Sequence, residues 1–196
     1  MNKKTILILL CISSILFTGC SSSKQVDKAS IAETVTVGEK DDKICYTFYM
    51  LSSSDTPVFT SVFADSFEQA CAKAKREYIP NLSLTKLELF ITEERIMDKT
   101  LKSDVKYISE KPYFSPLMYV TLCDENLPAR FANDKKLPEK AEEHIILLKK
   151  NNKDISLNSL SIFNNFYSDN NKEFSVSYIN SNKEIKAETL KINAEK

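Results

Sequence analysis

Residues 60–70 read Thr60-Ser61-Val62-Phe63-Ala64-Asp65-Ser66-Phe67-Glu68-Gln69-Ala70, and within them the hydrophobic period changes from two to nearly four. Ahead of the change, Val58, Thr60, Val62 and Ala64 alternate with Phe59, Ser61 and Phe63, which is strand spacing. Behind it, Phe67, Ala70, Cys71, Ala74 and Tyr78 recur at helical spacing as a narrow apolar stripe. Ser66, with Gln69 three residues on, predicts a capping box at the helix start, and Pro80 predicts its end. A strand that passes within a few residues into an amphipathic helix requires a sheet with helices laid on it.

The pattern extends in both directions. Upstream, Val35 and Val37 alternate with Thr34 and Thr36, and Gly38-Glu39-Lys40-Asp41-Asp42-Lys43 makes a polar turn. Ile44 to Leu51 is aromatic and β-branched on both parities, so a hairpin is predicted whose second strand is buried on both faces. Downstream, Leu87, Leu89 and Ile91 predict a fourth strand, and Thr92-Glu93-Glu94 predicts the start of a second helix buried through Ile96, Met97, Leu101, Val105 and Ile108. Met118, Val120 and Leu122 predict a fifth strand. Pro138, with acids early and Lys149 and Lys150 late, predicts a helix whose face carries Ala141, His144, Ile145 and Leu148. Leu157, Leu160, Phe163 and Tyr167 suggest another helix, and Phe174 to Ile192 a terminal hairpin. The expected fold is α+β, a mixed β-sheet with helices packed on it in the order βββαβαβ-αα-ββ, forming a single domain over residues 31–196.

Composition narrows the chemistry. Hydrophobic residues make up 42% of the 196 and charged residues 28%, which a folded core can use. Lys+Arg and Asp+Glu are both 27, so no charge excess points to nucleic acid. With Gly19 and Gly38 as the two glycines, no Gly-rich phosphate cradle can be written. With His144 as the one histidine, the HExxH motif is excluded, as is any zinc module needing two.

The first thirty residues speak of location. Lys3 and Lys4 precede an apolar run from Thr5 to Phe17 that would rise about 20 Å as a helix, short of the ~30 Å hydrocarbon core of a bilayer. A basic head, a short apolar stretch and then small residues is the layout of a secretory signal peptide. Its end, Leu16-Phe17-Thr18-Gly19-Cys20, resembles the bacterial lipoprotein lipobox, with Phe17 standing where Leu, Val or Ile is usual. Residues 1–19 are therefore expected to be removed and Cys20 to carry the lipid. Two or more acyl chains hold stably where one is marginal. Residues 20–30, polar and serine-rich, read as a flexible tether to the extracytoplasmic face of the cell membrane.

Beyond Cys11 in the signal and Cys20, the chain has Cys45, Cys71 and Cys123, an odd number at wide spacing that spells no disulfide framework. They are expected as small buried apolar residues. A thiol–imidazole pair of His144 with Cys71 or Cys123 has no supporting signature, and His144 reads as a boundary residue of its helix. The acid pairs Asp41-Asp42, Glu93-Glu94, Asp124-Glu125 and Glu142-Glu143 each have a turn or helix-start explanation and are expected to be solvated. The stiff aromatic loop Lys111-Pro112-Tyr113-Phe114-Ser115-Pro116 is a candidate partner contact, but Tyr113 and Phe114 are expected rather to fold back onto the core beneath it. No catalytic, metal or cofactor residues are expected.

The lipobox, the first hairpin, Thr60–Ala70 opening a helix, the unit Leu82-Ser83-Leu84-Thr85-Lys86-Leu87-Glu88-Leu89-Phe90-Ile91 and the strand Met118-Tyr119-Val120-Thr121-Leu122 follow one another in an order that resembles the N-terminal domain of the Ger(x)C family. These are the lipoprotein C subunits of spore germinant receptors. The resemblance covers about Leu16 to Ile192. Ser21-Ser22-Ser23 stands where the family usually has Trp-Asp, and the second large domain into which most members continue has no counterpart in the single domain expected over residues 31–196. The resemblance implies a non-catalytic component of an extracytoplasmic membrane receptor assembly, held to lipid through Cys20 and partnered by integral membrane proteins. The alternative is a small solute- or polymer-binding surface lipoprotein.

Overall fold

A computed structural model of the chain describes residues 29–52, 58–168, 173–181 and 185–194. Cys20, the segment 1–19 and all but the last two residues of 20–30 lie outside the described residues. Among those described, nine strands and five α-helices form a mixed sheet covered by helices on both faces, the α+β architecture expected from the sequence.

The first three strands, β1 (Ser30–Lys40), β2 (Lys43–Met50) and β3 (Val58–Phe63), make an antiparallel meander. The β1–β2 loop is two residues long, and both Asp41 (φ 52°) and Asp42 (φ 57°) sit in the left-handed region. A two-residue hairpin loop whose twist matches its strands demands positive φ at both positions, and aspartate tolerates this better than most side chains.

Helix α1 (Phe67–Glu77) begins where the change of period predicts. Ser66 accepts from the Gln69 N–H, but the Gln69 side chain reaches back to the Asp65 N–H, so the capping box is only half made. Phe67, Ala70, Cys71 and Ala74 are buried as expected; Tyr78 is the C-cap residue and 56% exposed, because the helix ends before its turn can face the core.

The middle of the chain departs more from expectation. A two-residue strand β4 (Leu82–Ser83) pairs with the start of β1, and β5 (Leu89–Glu93) runs past Thr92, which was expected to open a helix. A 3-10 turn over Glu94–Ile96 then leads into α2 (Met97–Glu110). Strand β6 (Tyr119–Cys123) is followed by α3 (Leu127–Phe131), α4 (Leu137–Asn151), a short β7 (Ile155–Ser156) that the sequence pattern did not reveal, and α5 (Ser159–Tyr167). In α5 the buried positions are Ser159 and Ile162, while Leu160 and Tyr167 of the expected stripe are 46% and 44% exposed. The hairpin of β8 (Glu173–Asn180) and β9 (Lys186–Asn193) closes the fold as predicted.

Strands β1, β5, β6 and β8 form a parallel centre; β2 and β3 extend it on one side, and β9 pairs antiparallel on the outer edge of β8. One face is covered by α1, α2 and α5, the other by α3 and α4. Phe67, the first residue of α1, is fully buried with ring centroids of Tyr46, Phe48, Phe90, Tyr107 and Phe114 all between 5.0 and 6.1 Å away. A buried Phe in such a cluster contributes about 3–5 kcal/mol by comparison with alanine.

Beside this cluster lies a carboxylate the periodicity did not disclose. Asp104 of α2 is 1% exposed and accepts from the Tyr46 hydroxyl and the Phe67 N–H, each at 2.9 Å. It joins α2, β2 and the open end of α1, where backbone N–H groups otherwise lack partners. Burial pushes its carboxyl up to about 7 against the pull of those two hydrogen bonds.

Candidate functional site

In open parallel sheets, ligands collect beyond the carboxyl ends of the strands, where successive connections leave for opposite faces. Here the chain leaves β5 for α2 on one face and leaves β6 for α3 on the other. The carboxyl ends of β5 and β6 are paired Glu93 to Cys123, and this is the switch point.

Glu93 points to the α3 side and is 3% exposed. Its Oε2 accepts from the Glu39 N–H at 2.8 Å and from Arg95 Nε at 3.1 Å. Arg95 also donates to the Glu39 carbonyl at 3.0 Å, and Lys99 Nζ lies 3.6 Å from the Glu39 carboxylate. This network ties the end of β1 to the end of β5. Arg95 and Lys99 are largely solvated, so each exposed ion pair adds little, and the buried end at Glu93 carries the ordering. Gly38 lies against the Glu93 carboxyl group, where an added Cβ would make ordinary contact at 3.4 Å.

Asp124, the residue after β6, plays the matching part on the other side. Its Oδ1 accepts from the N–H groups of Asn126 and Leu127 at 2.9 and 3.1 Å and from the Ser181 hydroxyl at 2.7 Å; its Oδ2 accepts from the Ser181 N–H. Arg130 of α3 donates to the Ser181 carbonyl. Together they close the ends of β6 and β8 over the start of α3. Two of the acids expected to be solvated, Glu93 and Asp124, are thus structural acceptors, because each strand end brings backbone donors that lack strand partners.

Between the meander and α3 lies a cavity of about 430 Å³, with Tyr49, Phe59 and Thr47 on its floor, Pro128 and Ala129 on its wall and Glu93 at its inner end. The Tyr49 hydroxyl donates to the Pro128 carbonyl at 3.1 Å and joins floor to wall. A more open and more polar groove of about 640 Å³ lies around Glu39, Lys43, Lys73 and Lys99.

The residues weighed for chemistry fall elsewhere. Cys45, Cys71 and Cys123 are free and buried. Burial raises all three thiols, Cys71 to about 12, which holds them in the poorly nucleophilic protonated form. Cys71 packs in the core under α1, whereas α4 with half-buried His144 covers the opposite face, so the sheet separates the two. Cys123 belongs to the core on the α4 side. In the Pro112–Pro116 loop, Phe114 folds onto Phe67 and is buried, while Tyr113 stays 39% exposed with its hydroxyl 3.2 Å from that of Tyr107. Among the described residues no group of three or more His, Cys, Asp or Glu is arranged to hold a metal, and no helix is long and apolar enough to cross a membrane. Comparison with known proteins gave no matching family model, no matching curated protein and no matching solved structure.

Proposed function

We propose that this chain is a membrane-anchored lipoprotein that works without catalysis, as a docking component of an extracytoplasmic receptor assembly of the spore germinant receptor type. The observation that carries the proposal is Leu16-Phe17-Thr18-Gly19-Cys20 placed directly after a short apolar run with a basic head. The carboxylates at the strand ends engage backbone N–H groups and an arginine rather than a nucleophile, and the thiols are buried and protonated; both suit a binding module. A domain held close to the bilayer meets membrane partners at high effective concentration, which compensates for a weak interface.

Fatty-acid labelling with and without Cys20→Ala tests the anchor. The substitution is expected to abolish labelling and to release or misprocess the protein; a variant that labels and fractionates like the parent overturns the proposal. Crosslinking in native membranes tests the assembly, with multi-span membrane proteins as the expected products.

The 430 Å³ cavity favours the second reading, a small solute-binding lipoprotein, since its size is that of ligand pockets and it adjoins the switch point. Recovery of the uncrosslinked chain with a stoichiometric small molecule bound would support that reading instead.

A further inference from the structure

Strand β3 is the outermost strand of the meander, and among the described residues no strand pairs with its outer edge. The Ala64 N–H donates to the Ile44 carbonyl at 3.2 Å, which fixes the phase of the β2–β3 ladder. In an antiparallel pair the hydrogen-bonded positions alternate, so Val58, Thr60 and Val62 turn their backbone groups toward β2. Phe59, Ser61 and Phe63 turn theirs outward. The Lys73 ammonium, 3.3 Å from the Phe63 carbonyl, marks the same outward direction independently.

The edge is apolar as well as open. Val58, Phe59 and Phe63 are 46%, 42% and 39% exposed, and Leu51 nearby is 52% exposed. No residue from Val58 to Phe63 is charged, although natural edge strands usually carry charge, proline or a bulge that blocks further pairing.

The side chains favour one occupant. About Ser61 the strand reads nearly the same in both directions: Thr60 mirrors Val62, Phe59 mirrors Phe63, and Val58 mirrors Ala64. A second β3 laid antiparallel with Ser61 opposite Ser61 therefore matches side chain for side chain and aligns outward backbone groups with outward backbone groups. Each Phe59 then faces a Phe63 of the other copy on the face that also holds Tyr49, whose ring already lies 5.7 Å from Phe59. An uncharged edge offers no complementarity for selecting a partner of opposite sign. We propose that two copies of this chain join through β3, in antiparallel register centred on Ser61, to form one continuous sheet. The joining two-fold runs perpendicular to the sheet. Lys73, half-buried at its base, must release the Phe63 carbonyl, and the contact area of one strand pair predicts a modest affinity.

The register supplies its own test. Hydrogen-bonded antiparallel partners have Cα atoms about 5.5 Å apart, inside the roughly 4.4–6.8 Å range of a disulfide. The full chain carrying Ser61→Cys, purified in detergent, is treated with mild oxidant or a short thiol–thiol crosslinker. The same chain carrying Lys75→Cys on the exposed side of α1 and the unsubstituted chain are treated alongside. Ser61→Cys is expected to give a covalent dimer severalfold above both controls. Phe59→Lys or Phe63→Lys added to Ser61→Cys should cut that yield by roughly tenfold, because both aromatic pairs are lost together. Both phenylalanines are partly exposed, so unchanged thermal melting verifies that the double variants are folded. A Ser61→Cys dimer no more abundant than the Lys75→Cys product overturns the proposal, as does a yield insensitive to both lysines in folded protein. In native membranes, capture of a different protein at position 61 in place of a second copy overturns it as well.

Discussion

Asp104 gives the sharpest test of the core. Its carboxyl titrates near 3.8 in the unfolded chain and is pushed up to about 7 in the folded one by burial. The folded state therefore holds this proton more tightly than the unfolded state, and the contribution to stability is greatest at low pH. It declines as pH rises above the unfolded value and is lost once pH passes about 7. Three pH units at 1.36 kcal/mol each set the total swing at about 4 kcal/mol, a large share of the ~5–15 kcal/mol that holds a typical domain together.

Asp104→Asn removes the titration while keeping two polar atoms: Oδ1 can accept the Phe67 N–H, and Nδ2 can donate to the Tyr46 oxygen, now an acceptor. Urea midpoints followed by far-UV circular dichroism from pH 5 to 8.5 should show the variant gaining on the parent as pH rises, by about 1 kcal/mol per unit up to pH 7, and overtaking it on the alkaline side. Other groups that titrate cancel in the difference between the two chains. Asp104→Ala leaves a buried hydroxyl and a buried N–H without partners and should be about 2–4 kcal/mol less stable than Asp104→Asn at every pH, since neither variant titrates there. A difference between parent and Asp104→Asn that stays constant with pH would refute the reasoning, since it would mean that folding does not move the Asp104 titration.

Thr92 offers a simpler substitution: its buried hydroxyl has no hydrogen-bond partner, so Thr92→Val should raise stability by about 1–2 kcal/mol in the same urea assay. At the β1–β2 loop, Asp42→Gly places a residue free of side-chain strain at φ 57° and should raise the thermal midpoint, by an amount equivalent to about 1 kcal/mol. An unchanged midpoint would mean that the aspartate bears its left-handed conformation at no cost.

Most of the elements are legible in the chain because each is a local pattern. The change of period across Asp65–Ser66 is visible to the eye, and so are the alternation of β6 and the terminal hairpin. Buried cysteines follow from their place in apolar stripes, as Cys71 does. Errors concentrate where local preference and tertiary contact disagree. Thr92 and Glu93 look like a helix start, with acids suited to its dipole, yet pairing with Val37 and Cys123 and the donors on Glu39 and Arg95 extends β5 through them. In α5 the apolar residues outnumber the places against β6 and α2, so Leu160 and Tyr167 are left outside. Strand β7, two residues long, has too short a period to read at all.

Sequence alone determined the α+β class, because it depends on residues spaced at a fixed period, and the proposal of a cleaved signal with lipid on Cys20 rests on adjacent residues of the sequence alone. The sequence also placed four of the five α-helices described, missing the short α3, and all but the shortest strands to within a few residues. Only the tertiary structure decided that the sheet centre is parallel with its switch point between β5 and β6, since strand order depends on crossovers no local pattern encodes. The same holds for Asp104, which lies between hydrophobic positions of α2 and becomes a buried acceptor only when α1 and β2 bring their donors to it. The open edge of β3 follows likewise: Val58–Phe63 reads as any half-buried strand, and its outermost place exists only once the other strands are ordered beside it.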